Sequence, residues 1–321
     1  LEAAPYKVAI TAIKMFISKT STFVSDFMSQ PFLSGIHDTT KEGNALTKTD
    51  KNIARLKKEK LVSDLRALDS LVVAFSGGVD STFLLALAHQ ALGQKVVAVT
   101  AKSAIHPDRE IETAVRFALE MGIRHILFQS DEMEIPEFVS NAQDRCYYCK
   151  RHLFHMIFQI ARDNNIRHVS HGENVDDLND HRPGFRAAGE AGVIAPLMEA
   201  TLTKDEIRLL SQEMGLPTWD KPALPCLATR IPYGVPITVE DLRMVETAEA
   251  FLLEQGFSDI RVRHHRSMAR IEVNKENLKK FVDDGLRSII VNTLRQIGFE
   301  HIALDLEGYV PGKTDRRLQK M

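Results

Sequence analysis

The run Leu71-Val72-Val73-Ala74-Phe75-Ser76-Gly77-Gly78-Val79-Asp80-Ser81 decides the fold of this chain. An apolar stretch meets a pair of glycines, and the apolar-rich segment Thr82–Ala88 follows. That order reads as a strand, a tight turn and the N-terminus of a helix. Such a turn closes backbone N–H groups on phosphate oxygens, and the helix dipole favours the anion. Ser76 and Ser81 add hydroxyl donors. Asp80 alone would repel phosphate, so its expected task is to hold Mg²⁺ between phosphates. The loop has neither the Gly-Lys-Ser/Thr ending of a Walker A loop nor the G-x-G-x-x-G pattern.

Working outward, residues 53–68 read as a helix leading into this strand. Lys95–Ala101 and Arg124–Gln129 read as strands, with a helix over Asp108–Met121 between them. Arg151–Asn164 reads as a helix, Arg167–His171 as a fourth strand and Val193–Ala195 as a short fifth. Alternating strands and helices with short turns imply a parallel sheet covered on both faces, with ligands beyond the carboxyl ends of its strands. Ser76, Lys102 and Gly172-Glu173-Asn174 fall at such ends. After Gly234 the pattern changes. A helix over Thr238–Gln255, with Thr238 as N-cap, precedes the alternating runs Ile260–His264 and Ala269–Val273, which read as a hairpin. Helices over Glu276–Asp283 and Leu286–Ile297 and a strand over His301–Leu306 complete a small α+β unit. The expected organisation is a flexible lead-in over 1–52, a nucleotide-binding α/β domain over 53–234, a C-terminal α+β domain over 235–312 and a charged tail over 313–321. Pro222–Pro236 is the expected linker.

The chain has 321 residues, enough for two cores, and a net charge of −2. There is no global basic field, so a dedicated nucleic-acid binder is not expected. No apolar run reaches membrane-spanning length. Three cysteines make no disulfide framework and point to a reducing, cytoplasmic setting. Residues 5–24 carry lysines and no acid, the pattern of a targeting segment, but lack the arginines of a transit peptide. The chain begins at Leu1, which suggests a fragment or translated sequence upstream of a true start.

The cysteines carry the second chemical signal. Cys146 and Cys149 have C-x₂-C spacing, and Cys226 lies in Pro225-Cys-Leu-Ala-Thr-Arg230. Three thiolates suit a cubane iron–sulfur cluster with one open iron that could hold an exogenous sulfide. Zinc would need a fourth ligand, a redox pair would leave Cys226 without a role, and three buried small hydrophobes is the plain alternative. Lys150 and Arg151 could neutralise phosphate or depress thiol pKa values, or could simply be solvated. Glu173, Asp176, Asp177 and Asp180 are candidates for Mg²⁺ or ribose. On the hairpin, Arg261 and Arg263 share one strand face, a pair suited to a substrate phosphate or to a solvated surface. Glu246 and Glu249 share a helix face and could be a metal or acid–base pair.

Together these pieces resemble the LarE family, sulfurtransferases of the PP-loop ATP pyrophosphatase superfamily that build the nickel-pincer nucleotide. The motifs carrying the resemblance are Ala74-Phe-Ser-Gly-Gly-Val-Asp-Ser81, Cys146-Tyr-Tyr-Cys-Lys150, Asn179-Asp-His-Arg-Pro-Gly184, Cys226-Leu-Ala-Thr-Arg-Ile-Pro-Tyr-Gly234 and Arg261-Val-Arg-His264, across roughly residues 55–312. The resemblance implies a PP-loop (adenine nucleotide alpha hydrolase-like) sheet with a smaller C-terminal α+β domain. It implies that ATP adenylates a carboxylate of pyridinium-3,5-biscarboxylic acid mononucleotide, releasing pyrophosphate, and that sulfur then displaces AMP. One branch of the family takes sulfur from a cysteine at the place of Cys226, leaving dehydroalanine. The other carries a [4Fe-4S] cluster, and with all three cysteines this chain looks like that branch.

By position, Ser76, Gly77, Gly78, Asp80, Ser81, Lys102 and Thr229 fall to the nucleotide and its Mg²⁺. Cys226, Lys150 and Arg230 fall to catalysis, and Cys146, Cys149 and Cys226 to the cluster. Arg261, Arg263 and Glu249 fall to the substrate-phosphate and metal region. The expected partners are the small nucleotide substrate, sulfide or another sulfur donor, and further copies of the chain. A tRNA thiolase, an amide-forming ligase and a non-enzymatic nucleotide-binding regulator share parts of this pattern. The first would bring a basic surface or more cysteines, and the second has no use for three thiols.

Overall fold

The apolar run at 71–75 forms a strand because each of its faces has a core to enter. In the computed structural model, which describes residues 46–179 and 183–310, β1 spans Leu71–Ala74. Leu71, Val73 and Phe75 enter one core and Val72 enters another, as a two-residue period requires. The first core is closed by α1 (Lys48–Arg66) and α2 (Val79–Leu92), and the second by a helix over Arg145–Asp163. Helix α1 starts within the stretch expected to be lead-in. Thr47 and Asp50 form a reciprocal capping box there, which fixes the start.

The parallel sheet has the order β3-β2-β1-β4, with β2 at Val96–Lys102, β3 at Arg124–Gln129 and β4 at His168–Ser170. Helix α3 (Asp108–Glu120) connects β2 to β3. After the short α4 (Pro136–Val139) comes α5 (Arg145–Asp163). Helix α5 begins before the expected Arg151, so Cys146 and Cys149 lie within its first turns, three apart on one side. The expected fifth strand is reduced to a single parallel bridge between Ser170 and Ile194. Helices α6 (Pro183–Ala191), α7 (Pro196–Glu199) and α8 (Lys204–Glu213) follow.

The second sheet follows α9 (Val239–Glu254), whose Thr238 cap accepts from Asp241 N–H at 3.0 Å. Strands β5 (Arg261–His265) and β6 (Met268–Glu272) form the antiparallel hairpin. After α10 (Asp284–Ile297), β7 (His301–Leu304) pairs parallel to β6. The helix expected over Glu276–Asp283 is a 3₁₀ segment over Lys275–Val282. The described residues of both sheets belong to one compact unit. The Pro222–Pro236 segment is packed rather than free. Leu227 N–H donates to Ile105, Gly234 N–H to Asn141 and Ile237 N–H to Val139. Leu227, Ala228 and Ile231 share an apolar cluster with Ile105, Phe138, Leu242 and Val245.

Candidate active site

The loop after β1 makes its turn at Gly77, which has φ +69°, a region that disfavours side chains. Space also demands glycine there, since a Cβ would lie 3.2 Å from the Ala114 side chain. Gly78 caps α2, Ser76 Oγ lies 3.1 Å from Ser81 Oγ, and Gly78 N–H faces Ser76 Oγ at 3.4 Å. The end of β4 presses on the same helix start. A Cβ at Gly172 would meet Ser81 N at 2.8 Å. The expected phosphate residues Ser76, Gly77, Gly78, Asp80 and Ser81 are thus together at the carboxyl edge of the sheet. Lys102 is half exposed at the neighbouring strand end and pairs with Asp108 at 3.6 Å.

Two lysines that sequence reasoning missed also reach this loop. Lys204 Nζ lies 2.5 Å from Asp80 Oδ2. Lys221 Nζ donates to the Gly77 carbonyl at 3.0 Å and pairs with Glu110 at 2.7 Å. Asp80 Oδ1 is buried with no hydrogen-bond partner among the described residues. An unpartnered carboxylate oxygen at a phosphate loop suits a Mg²⁺ ligand, so Asp80 fits the metal expected there. Of the acids after β4, Glu173 faces His171 Nδ1 at 3.4 Å, and two others serve the backbone. Asp176 accepts from Lys204 N–H at 2.7 Å and Asp177 from Asn174 N–H at 3.0 Å. Asp180 lies outside the described residues.

None of the three cysteines is in a disulfide, and all are partly buried. Cys149 and Cys226 pack against the same apolar cluster, although 77 positions separate Cys149 from Cys226 in sequence. Burial pushes the Cys149 thiol up. Cys226, Glu132 and Cys146 push the same way, and Lys150 opposes them. Cys149 therefore feels both other cysteines, and thiolates are ligands that suit iron. Among the described residues, no three His, Cys, Asp or Glu side chains are arranged as a metal-holding group.

Lys150 extends over the Phe154 ring, 5.7 Å from its centre. Two further groups stand nearby that no sequence motif singles out. Glu132 is fully buried, accepts from Ser130 Oγ–H at 2.7 Å, and leaves Oε2 without a partner. His106 is held below its usual pKa by burial; Glu132 raises it and Lys150 lowers it.

The Cys226 segment hangs from the second sheet. Arg230, 1% exposed, makes a two-point pair with Glu249 at 2.9 and 3.0 Å. Its Nη1 donates to the Pro225 carbonyl at 2.8 Å and to Thr229 Oγ1 at 2.9 Å. Thr229 Oγ–H in turn donates to the Cys226 carbonyl at 2.8 Å. Arg261 donates to the Ala223 carbonyl at 2.8 Å, and Arg263 to the Thr229 carbonyl at 2.9 Å. Arg263 also pairs with the buried Glu272 at 2.9 Å. Burial, and then the neighbouring Arg230, lower the Arg261 pKa. The structure therefore brings Arg230, Glu249, Arg261, Arg263 and Thr229 together, in contact with the Cys226 backbone. Glu246 turns elsewhere. It accepts from Asp108 N–H at 2.7 Å at the start of α3, and burial raises its pKa.

A model of the NAD synthase family matches residues 53–167, the stretch containing the phosphate loop and α5. The pyridinium-3,5-bisthiocarboxylic acid mononucleotide synthase of Lactiplantibacillus plantarum is 36% identical over 265 residues, covering 82% of this chain and 95% of its own length. The chain belongs to the LarE family. An uncharacterized Synechocystis protein is 44% identical over 79% of this chain and 94% of its own. A glutamine-hydrolysing GMP synthase of Aeropyrum pernix is 29% identical over 57% of this chain, but only 39% of that enzyme is covered. As a LarE-family member, this protein is a PP-loop enzyme that uses ATP.

Proposed function

We propose that this protein adenylates the ring carboxylates of pyridinium-3,5-biscarboxylic acid mononucleotide and converts them to thiocarboxylates for a nickel-pincer cofactor. The observation that carries this reading is the joining of an ATP-cleaving loop to a thiol segment in one compact unit. Lys221 touches the Gly77 carbonyl at one end of that segment, and Arg230 holds the Cys226 carbonyl region at the other. The relative with this activity in its name matches over nearly its whole length.

A carboxylate is a poor electrophile. Its oxygen attacks the α-phosphorus of ATP, the α–β bridging bond breaks, and pyrophosphate leaves with both electrons. Asp80 with Mg²⁺, the Ser76 and Ser81 hydroxyls and the first amides of α2 would hold the phosphates. Lys204 and Lys221 would offset the charge of departing pyrophosphate. A sulfur nucleophile then attacks the acyl carbon, and AMP leaves. Lys150 beside Cys149 supplies a cation at this step. Cys146, Cys149 and Cys226 would hold a [4Fe-4S] cluster, which would present sulfide when bound. Arg230, Arg261, Arg263 and Glu249 keep the Cys226 backbone in place. Cysteines outside any disulfide suit a reducing, cytoplasmic setting, and no described helix is long and apolar enough to cross a membrane.

The test is ATP–pyrophosphate exchange that depends on the bis-carboxylate mononucleotide, followed by mass spectrometry of the products after sulfide is added to anaerobically purified protein. AMP, pyrophosphate and a thiocarboxylate are expected. ADP with inorganic phosphate, or exchange indifferent to the acceptor, would sink the reading. Dehydroalanine at position 226 after turnover would move the sulfur source from the cluster to Cys226 itself.

A further inference from the structure

We infer that Lys204 stands in for the metal in the nucleotide-free protein, a role that rests on Asp80 as the Mg²⁺ ligand of the reading above. Lys204 neutralises Asp80, keeps free divalent cations off it, and passes its ammonium to the phosphates when Mg²⁺ and ATP enter together. Three lysines stand around the phosphate loop. Lys102 pairs with Asp108 and Lys221 with Glu110, both acids outside the loop. Lys204 pairs with the loop's own acid, its Nζ 2.5 Å from Asp80 Oδ2.

The backbone of Lys204 is fixed beside that loop. Lys204 is the first residue of α8, where Thr203 and Glu206 form a reciprocal capping box. Its N–H donates to Asp176 Oδ2 at 2.7 Å. Lys57 on α1 holds Glu206 at 2.8 and 2.9 Å and the Thr201 carbonyl at 2.8 Å. These ties place the Cα and leave the flexible four-carbon stem free to change partner. The pair is also open. The Lys204 and Asp80 side chains are 30% and 20% exposed, against 1% and 3% for Arg230 and Glu249. An entering ligand can therefore reach Lys204 and Asp80, as it cannot reach the buried pair.

Charge decides what the open pair does. Free Mg²⁺ gives up its waters reluctantly, and its sites use one or two carboxylates completed by substrate phosphates. Asp80 Oδ1 is buried, so the way to this carboxylate for a hydrated ion is Oδ2, which Lys204 holds. A second cation on the same carboxylate would lie within its width of the ammonium and be repelled. Triphosphate reverses the balance. Its negative charges attract both cations, so Lys204 can leave Asp80 for a phosphate oxygen as the metal takes its place. Lys204 thereby ties metal binding at Asp80 to the arrival of nucleotide.

The test is Mn²⁺ titration of the full chain, with the free ion followed by electron paramagnetic resonance. It is run without nucleotide and with α,β-methylene-ATP, which cannot be cleaved between its α and β phosphates. Without nucleotide, Lys204→Met should bind Mn²⁺ at least about tenfold more tightly than wild type, because the competing charge is gone. Lys204→Gln should show the same gain, and Lys204→Arg, which keeps the charge, should stay near wild type. Adding Asp80→Asn to Lys204→Met should abolish the gain. The analogue should tighten Mn²⁺ binding by a larger factor in wild type than in Lys204→Met, since only wild type has a cation to move off Asp80. Equal nucleotide-free affinity of wild type and both neutral variants overturns the inference, as does a gain that survives Asp80→Asn. Mn²⁺ binding with the analogue that ignores Asp80→Asn alone removes the metal assignment of Asp80 and the inference with it. Acceptor-dependent pyrophosphate exchange reports separately on the proposed reaction, so the two can fail independently.

Discussion

At the residue scale the chemistry divides between side chains that wait for a ligand and side chains that already have partners. Asp80 belongs to the first group, with one oxygen on Lys204 and the other unpartnered. Asp80→Asn keeps the shape and removes the charge. It should lower ATP–pyrophosphate exchange by about 10²-fold or more, with unchanged circular dichroism, because the carboxylate faces the phosphates rather than the core. Glu249 belongs to the second group. Glu249→Gln leaves Arg230 buried without its counter-charge, and breaking such a pair costs about 3–5 kcal/mol. Urea denaturation should show that loss, and Cys226 should alkylate faster as its segment loosens. The phosphate loop was legible in the sequence because its determinants are local: a strand, a positive-φ glycine and a helix start within a dozen positions. Lys204 and Lys221 were not legible, since their partners lie 124 and 144 positions away. The arginine pair on the hairpin was visible by its period. Its engagement by Glu272 and the Cys226 segment exists only once the chain has folded.

At the element scale β1, β2 and β3 share a polar link behind the phosphate loop. His125 Nε2 on β3 lies 2.8 Å from Thr100 Oγ1 on β2, and Thr100 donates to the Phe75 carbonyl at 2.6 Å. Thr100 spends its proton on Phe75, so Nε2 carries the hydrogen that Thr100 accepts. Burial lowers the His125 pKa to about 4, against an ordinary value of 6.5. Between those values the unfolded chain binds a proton that the folded chain refuses. Stability is therefore complete above about pH 6.5 and falls as pH drops toward 4, by at most about 3 kcal/mol. Urea midpoints at pH 7 and pH 5 should differ, and His125→Gln should flatten the difference. The elements themselves were legible where periodicity was strong, as in α9 and the hairpin. The early start of α5 was hidden because Cys-Tyr-Tyr-Cys has modest helix propensity and reads as a motif, not a turn of helix. The strand expected near Ile194 shrinks to one bridge because the chain turns into Pro196 almost at once, and proline lacks the donor a ladder needs.

At the scale of the whole molecule, the segment once expected to separate two halves supplies part of a shared core. Leu227 and Ile231 share one apolar cluster with Phe138 and with Leu242 and Val245. Thermal unfolding should therefore be a single cooperative transition, with coincident signals from Trp219 fluorescence and far-ultraviolet circular dichroism. Two resolved transitions would show that the sheets melt independently. The pairing of parallel sheet and small α+β sheet was readable from the change in pattern after Gly234, but no periodicity reports how tightly two units are tied. The ties here have a direction. Lys221 grips the phosphate loop, nine positions later Arg230 grips Glu249 on α9, and Cys226 hangs between them. Such a strap obeys reciprocity: if ATP changes the reactivity of Cys226 by shifting the strap's equilibrium, then a ligand seated at Cys226 changes the affinity for ATP by the same factor. Order of binding would then be a thermodynamic preference written into one short stretch of backbone, and a single lysine at 221 would set its strength.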